Sequence, residues 1–186
     1  LEGKSKIAVI YKSKYGSTKK YAGWIAIKLD ADLYELSDIT SGDLPDYETI
    51  IYGSSLHIGK IKGLNFITKN YEKIKNKNII IFAVGLAKDS EGTIKNIKEI
   101  NFSEEFSKTA NLFYLRGQLD YKDMTLVDKL LMRGLKKSLE KKSPNELDND
   151  DKLLLESFFD KIDYTDKNSV YPIIEYVNGK YTKNNE

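Results

Sequence analysis

Short runs of β-branched and aromatic residues, separated by stretches of helical periodicity, constrain this chain more than any other feature. Ile7-Ala8-Val9-Ile10-Tyr11, Thr49-Ile50-Ile51-Tyr52-Gly53, Ile79-Ile80-Ile81-Phe82 and Asn111-Leu112-Phe113-Tyr114-Leu115 are nearly unbroken apolar runs. Without polar alternation, such runs belong to strands buried on both faces. Leu33-Tyr34-Glu35-Leu36 reads as one further strand, the second in order. Between them, apolar residues recur at helical spacing: Tyr21, Ala22, Ile25 and Leu29; Leu64, Ile67, Tyr71 and Ile74; Ile94, Ile97, Phe102 and Phe106. Strands that alternate with helices predict a parallel sheet, because each crossover must be right-handed. The expected class is α/β, a three-layer doubly wound sheet of five parallel strands. That fits 186 residues better than an eight-stranded barrel does.

After the fifth strand the chain carries more than a minimal domain needs. Residues 124–142 and 150–162 both read as helices. The second aligns Leu154, Leu155, Phe158, Phe159 and Ile162 and is expected to close the fold. The first then becomes an insertion, bounded at residues 122–145. Residues 163–186 read as a polar tail with a small hairpin at Asn178-Gly179. The whole chain, 1–186, is expected to form one domain.

Composition narrows the chemistry. Cysteine is absent and His57 is the only histidine. Thiolate zinc sites, cysteine-ligated clusters, cysteine nucleophiles and multi-histidine metal sites are therefore excluded. Redox chemistry would have to come from a bound organic cofactor. With 30 basic and 28 acidic residues, a net charge of +2 favours neither a nucleic-acid partner nor the role of an acidic electron carrier. The longest mainly apolar stretch, residues 78–87, is too short to span a bilayer. Leu1-Glu2-Gly3-Lys4 lacks the apolar segment of a signal peptide, so a cytoplasmic protein is expected.

In doubly wound sheets, ligands sit beyond the carboxyl ends of the strands, and the loops at that edge carry the functional signal. The first, Ser13-Lys14-Tyr15-Gly16-Ser17-Thr18, runs straight into a helix. A helix start offers unpaired N–H groups and partial positive charge to a phosphate monoester. Ser13, Ser17 and Thr18 add hydroxyls, and Gly16 permits close backbone approach. The loop lacks both the Walker frame and the dinucleotide fingerprint, so one phosphate is expected rather than two. The same residues would equally serve as an ordinary helix cap. The second loop, Ser54-Ser55-Leu56-His57-Ile58-Gly59, is long and partly apolar and could flank a flat ring through Leu56 or Ile58. His57 there is a candidate proton donor, or simply an exposed loop histidine. The third loop, Gly85-Leu86-Ala87-Lys88-Asp89, and the fourth, Arg116-Gly117-Gln118-Leu119-Asp120-Tyr121, add backbone donors and a stacking ring in Tyr121.

With these loops placed, the sequence resembles the flavodoxin family. Its phosphate-loop pattern, hydroxyl-x-Thr-Gly-x-Thr, matches residues 13–18 with Tyr15 at the usual threonine. The closer likeness is to the branch that includes menaquinone-dependent protoporphyrinogen dehydrogenase. It is carried by Tyr52-Gly53-Ser54-Ser55-Leu56-His57-Ile58-Gly59, Phe82-Ala83-Val84-Gly85-Leu86-Ala87 and Arg116-Gly117-Gln118-Leu119-Asp120-Tyr121. The inserted helix also looks like that branch's extra segment. Gln118 and Asp120, however, stand where the branch tends to carry small and basic residues. The resemblance implies the strand order 2-1-3-4-5 and an FMN cofactor. It places the phosphate at the first loop and the isoalloxazine between the second and fourth.

Two functional readings follow. One is an FMN-dependent oxidoreductase that oxidises protoporphyrinogen IX or a similar reduced substrate, with a quinone as acceptor. The other is a flavodoxin-type shuttle between redox partner proteins, which the nearly balanced charge disfavours. A phosphorelay receiver would need an acidic cluster after the first strand, where this chain has Tyr11-Lys12-Ser13. Residues 129–142 hold six basic side chains and one acidic, beside an apolar stripe of Met124, Val127, Leu131 and Leu135 flanked by Leu126 and Leu130. Such a helix can lie on an anionic membrane surface, dock a partner, cover the flavin edge, or pack its stripe on its own domain.

Overall fold

The computed structural model describes residues 6–184 except 89, 148 and 160. Five strands, β1 (Ile7–Lys12), β2 (Asp32–Glu35), β3 (Thr49–His57), β5 (Asn78–Gly85) and β6 (Ala110–Arg116), pair in the order β2-β1-β3-β5-β6, all parallel. With β4 (Lys60–Ile61), a two-residue strand folded back antiparallel on β3, set aside, this is the expected order 2-1-3-4-5. Helix α1 (Ser17–Leu29) follows β1. Short helices α2 (Asn65–Lys69) and α3 (Tyr71–Ile74) follow β4. Helices α4 (Glu91–Asn101) and α5 (Glu104–Thr109) join β5 to β6.

Period-two alternation sorts the central strands onto two cores. Ile10, Ile50, Tyr52, Ile79 and Ile81 pack with Ile67, Ile74, Ile97 and Phe106 of α2–α5. Val9, Ile51, Ile80, Phe82 and Val84 face the other way, onto Tyr21, Ala22 and Ile25 of α1. That second core also takes in Val170, Ile173, Ile174 and Val177. The last three lie on α8 (Tyr171–Asn184), entered through a 3₁₀ turn over Lys167–Val170.

The closing helix is therefore α8, not residues 150–162, and Asn178-Gly179 lies within it rather than in a hairpin. The stripe at 170, 173, 174 and 177 has i, i+3, i+4, i+7 spacing, and Pro172 sits in the first turn, where its missing N–H costs nothing. The extra segment is also longer than residues 122–145. It leaves the sheet after β7 (Gln118–Leu119) and returns at β8 (Ile162–Asp163), and these two pair antiparallel, Gln118 with Asp163 and Leu119 with Ile162. Between them lie α6 (Leu126–Leu139) and α7 (Asn149–Glu156). A short ladder thus brackets the excursion, so the sheet need not adjust to its length.

Candidate functional site

The carboxyl ends of β1, β3, β5 and β6 come together, and hydrogen bonds join the four edge loops. Ser54 Oγ donates to the Lys12 carbonyl at 3.1 Å. The Gly117 N–H donates to the Gly85 carbonyl at 2.7 Å. Tyr21 reaches from α1 to the Arg116 carbonyl at 2.6 Å. Close packing accompanies these bonds. A Cβ at Gly117 would lie 2.8 Å from Val84 Cγ1 and 3.4 Å from Ser17 Oγ, and one at Gly85 2.7 Å from the Tyr114 hydroxyl. Neither position has room for a side chain.

The first loop enters α1 without a side-chain cap at the position before the helix. Gly16 occupies the position before α1 with φ 94°, in the left-handed region, and no side chain caps the helix from it. An ordinary N-cap would spend a hydroxyl on the first-turn N–H groups; here that role is left open. Ser13 Oγ instead accepts from the Gly16 N–H at 3.1 Å and holds the loop's curve. Ser17 and Thr18 are buried at the start of the helix, next to the sheet.

Gln118 ties the fourth loop over the first. Its N–H donates to Ser17 Oγ at 3.0 Å, its Nε2 donates to the Tyr15 carbonyl at 2.8 Å, and its Oε1 accepts from Lys20 at 3.0 Å. A cavity of about 370 Å³ opens beside this crossing, lined by Lys14, Tyr15, Gln118, Asp120, Asp123 and Thr125. The backbone N–H groups and hydroxyls of this loop are the donor types that suit the terminal phosphate of FMN, while the Lys14 ammonium is held by Asp128.

The second segment differs from its expectation. Ser54, Ser55, Leu56 and His57 are strand, not loop, because β3 runs on to pair Leu56 with Ile61 and His57 with Lys60. Leu56 packs against the core on the α2–α5 side, along with Ala87 from the third loop. The tip is Ile58-Gly59, at φ 50° and 73°, the backbone of a two-residue primed turn that normally selects Asn-Gly. A β-branched residue is uncommon there. Ile58 is 80% exposed, at the carboxyl edge of the sheet. In the third loop, the Arg116 guanidinium donates to the Leu86 carbonyl at 3.0 Å and stacks on Tyr164 at 3.7 Å. Asp89 of that loop and Leu1–Lys4 lie outside the described residues. Tyr121 turns to the insertion, its ring 5.0 Å from that of Phe158 and its hydroxyl accepting from Arg133 at 3.0 Å.

Sequence reasoning missed the contact between the insertion and the phosphate loop. Thr125 caps α6 by accepting from the Asp128 N–H. Asp128 in turn accepts from Lys14 at 2.5 Å and from the Tyr15 hydroxyl. The Lys14 ammonium, with Tyr15 second, holds the Asp128 carboxyl down at about 2, below its ordinary 3.8. No local signal links residues 14–15 to residue 128, more than a hundred positions away.

A folded-state pKa below the unfolded value means this clasp acts fully above about pH 4 and is lost as pH falls through about 2. The chain lacks cysteine, so a single Leu131→Cys substitution would report on α6 through one attached spin label. We expect the label's mobility to rise as pH falls from about 4 toward 2, and in Asp128→Asn to be high and flat across that range. A wild-type label whose mobility does not change with pH would remove the clasp.

The flavodoxin domain family profile matches residues 8–146. Comparison with curated proteins returned no match. Among solved structures, the chain is similar to the Trp repressor binding protein from Bacillus subtilis (19% identity, 60% of this chain and 82% of that one, TM-score 0.46). It is also similar to a flavodoxin from the domain Archaea (16% identity, 81% and 94%, TM-score 0.40) and to oxidised Flavodoxin 2 from Bacillus cereus (23% identity, 60% and 83%, TM-score 0.42). The family match spans most of the chain, including the phosphate loop, all five parallel strands and α6. By that match the chain belongs to the flavodoxin domain family, and its cofactor is FMN.

Proposed function

We propose that the chain is an FMN-dependent oxidoreductase that takes electrons from a small reduced substrate of the protoporphyrinogen class and passes them to a quinone. The observation that carries the reading is the first loop. Its helix start is left uncapped by Gly16 and lies under a fourth loop sewn to it by Gln118.

When bound, FMN supplies the hydride and electron chemistry. The protein's part is to bind and orient. Ser13, Lys14, Tyr15, Gly16, Ser17 and Thr18 would hold the phosphate. Ser54, Ser55, Leu56, His57, Ile58 and Gly59, with Gly85, Leu86 and Ala87, would border the ring on one side, and Gly117 and Gln118 on the other, while Tyr121 stays with Phe158 of the insertion. Ile58, 80% exposed, would offer an apolar surface against which the ring could be shielded from water. His57 and Lys60 face each other across the β3–β4 hairpin, where they can offer a proton or a positive charge beside the ring.

Members of this family transfer electrons with redox partners, and the likeness of residues 52–59, 82–87 and 116–121 to the protoporphyrinogen dehydrogenase branch supports the narrower assignment. The test is anaerobic oxidation of protoporphyrinogen IX by the FMN-loaded protein with a menaquinone analogue. Turnover well above the protein-free rate is expected. Background turnover, alongside rapid electron exchange with a redox protein, would favour the shuttle instead.

A further inference from the structure

The apolar stripe of α6 points outward. Leu126 is 85% exposed, Leu130 70% and Val127 67%, and Leu131 and Leu135 are exposed as well. A Cβ at Gly134, between them, would meet nothing within 4 Å. The face turned inward is the opposite one. It carries Asp128 on the phosphate loop, Lys129 donating to the Lys122 carbonyl at 2.8 Å, Lys136 beside the Phe158 and Phe159 rings, and Leu139 buried. Met124, just before α6, is buried, but the helix's own leucines and valine on this face do not pack on the domain among the described residues.

We propose that this face is a docking surface for an anionic lipid bilayer. Three features select that occupant. The first is charge. Lys137 and Lys141 follow the leucines along the same side of the helix and form no ion pair among the described residues, while Arg133 beside them donates to the Tyr121 hydroxyl. Long basic side chains beside an apolar face can reach lipid phosphates while their stems stay in the acyl boundary. The second is shape and residue type. The exposed face is a row of leucine and valine with no aromatic residue, whereas protein partners are usually gripped by aromatic side chains or Arg seated in pockets. The third is like-charge repulsion: a second copy in parallel register would set one basic row against the other. Among the described residues no helix is long and apolar enough to cross a membrane, so the contact would be superficial. The Asp128 clasp to Lys14 and Tyr15 fixes which face of α6 is offered and sets it beside the flavin-phosphate loop. The proposal does not depend on which substrate or acceptor the flavin serves.

The test is sedimentation of the FMN-loaded protein with vesicles of phosphatidylglycerol mixed with phosphatidylcholine, against vesicles of phosphatidylcholine alone. Binding is expected only to the anionic vesicles, falling steeply with added salt. Lys137→Gln with Lys141→Gln should weaken it about 30-fold. Leu126→Asp with Leu130→Asp should abolish it. All four positions are exposed, so flavin content and circular dichroism should match wild type in both variants. No binding at low salt would overturn the proposal, as would full binding by the Leu126→Asp, Leu130→Asp variant. Concentration-dependent self-association in free solution, lost with the same leucines and without vesicle binding, would overturn it in favour of a second copy of the chain.

Discussion

Replacing Gly53 with alanine is expected to destabilise the fold by about 3 kcal/mol or more, the largest loss of any single methyl addition considered. A Cβ at Gly53 would fall 1.8 Å from Cζ of Phe82 and 2.2 Å from its Cε1, well inside contact distance. Gly53 and Phe82 are register partners on the adjacent strands β3 and β5, at the centre of the sheet. Phe82 is wholly buried among Val9, Tyr21 and Ile51, so the ring has no free volume into which to retreat. For a domain of this size the melting temperature should fall by roughly 6–12 °C. The clash is with one ring, so Phe82→Leu should be less costly in the Gly53→Ala background than alone. A double-mutant cycle should give a coupling of about 1–2 kcal/mol. Additive losses would mean that the ring does not lie over Gly53.

The second large effect concerns the cofactor. Gly16→Val forces a β-branched residue to φ 94°, where even an unbranched L-residue pays about 1–2 kcal/mol. The backbone will move to relieve that strain, and the first N–H groups of α1 will turn from the phosphate they should meet. FMN affinity should fall by about 100-fold, near 2.7 kcal/mol, comparable to one or two charge-assisted hydrogen bonds. Riboflavin, which lacks the phosphate, should bind with little change. Ser13→Ala is the milder companion: it removes the acceptor of the Gly16 N–H without straining the backbone, and should show the same selectivity at smaller size. Equal losses for FMN and riboflavin in both variants would place the phosphate elsewhere.

The sheet was legible because each central strand is sealed on both sides, which leaves an unbroken apolar run that no helix of ordinary amphipathicity would show. Its order came through family resemblance, since nothing in residues 7–116 alone dictates which strands are neighbours. The end of the chain was misread for a local reason. Leu154, Leu155, Phe158 and Phe159 form a denser apolar cluster than Val170, Ile173, Ile174 and Val177, yet the second set fills the core and Phe159 is 74% exposed. Both segments carry a helical stripe, so spacing alone does not choose between them. Asn178-Gly179 matched a turn signal that a helix can absorb, at a cost of about 1 kcal/mol for the glycine.

Ser54 and Ser55 read as loop because hydroxyls are unusual in a buried strand. Ser54 finds the Lys12 carbonyl across the ladder, which makes its burial tolerable. The first loop's place before α1 was visible through its own residues. Gln118 was a candidate through its loop, but its bonds to Ser17 and Tyr15, and the contact of Thr125 and Asp128 with residues 14–15, span long sequence separations and leave no periodic trace.

The central claim is that the uncapped start of α1 holds the phosphate of an FMN. Acid release of flavin from freshly purified protein, with the released compound identified by chromatography and its amount taken from absorbance, tests this most directly. One FMN per chain, in a protein that is yellow beforehand and after stripping binds FMN far more tightly than riboflavin, is the predicted result. A colourless protein that binds neither flavin on reconstitution, or one that binds both equally, would contradict it.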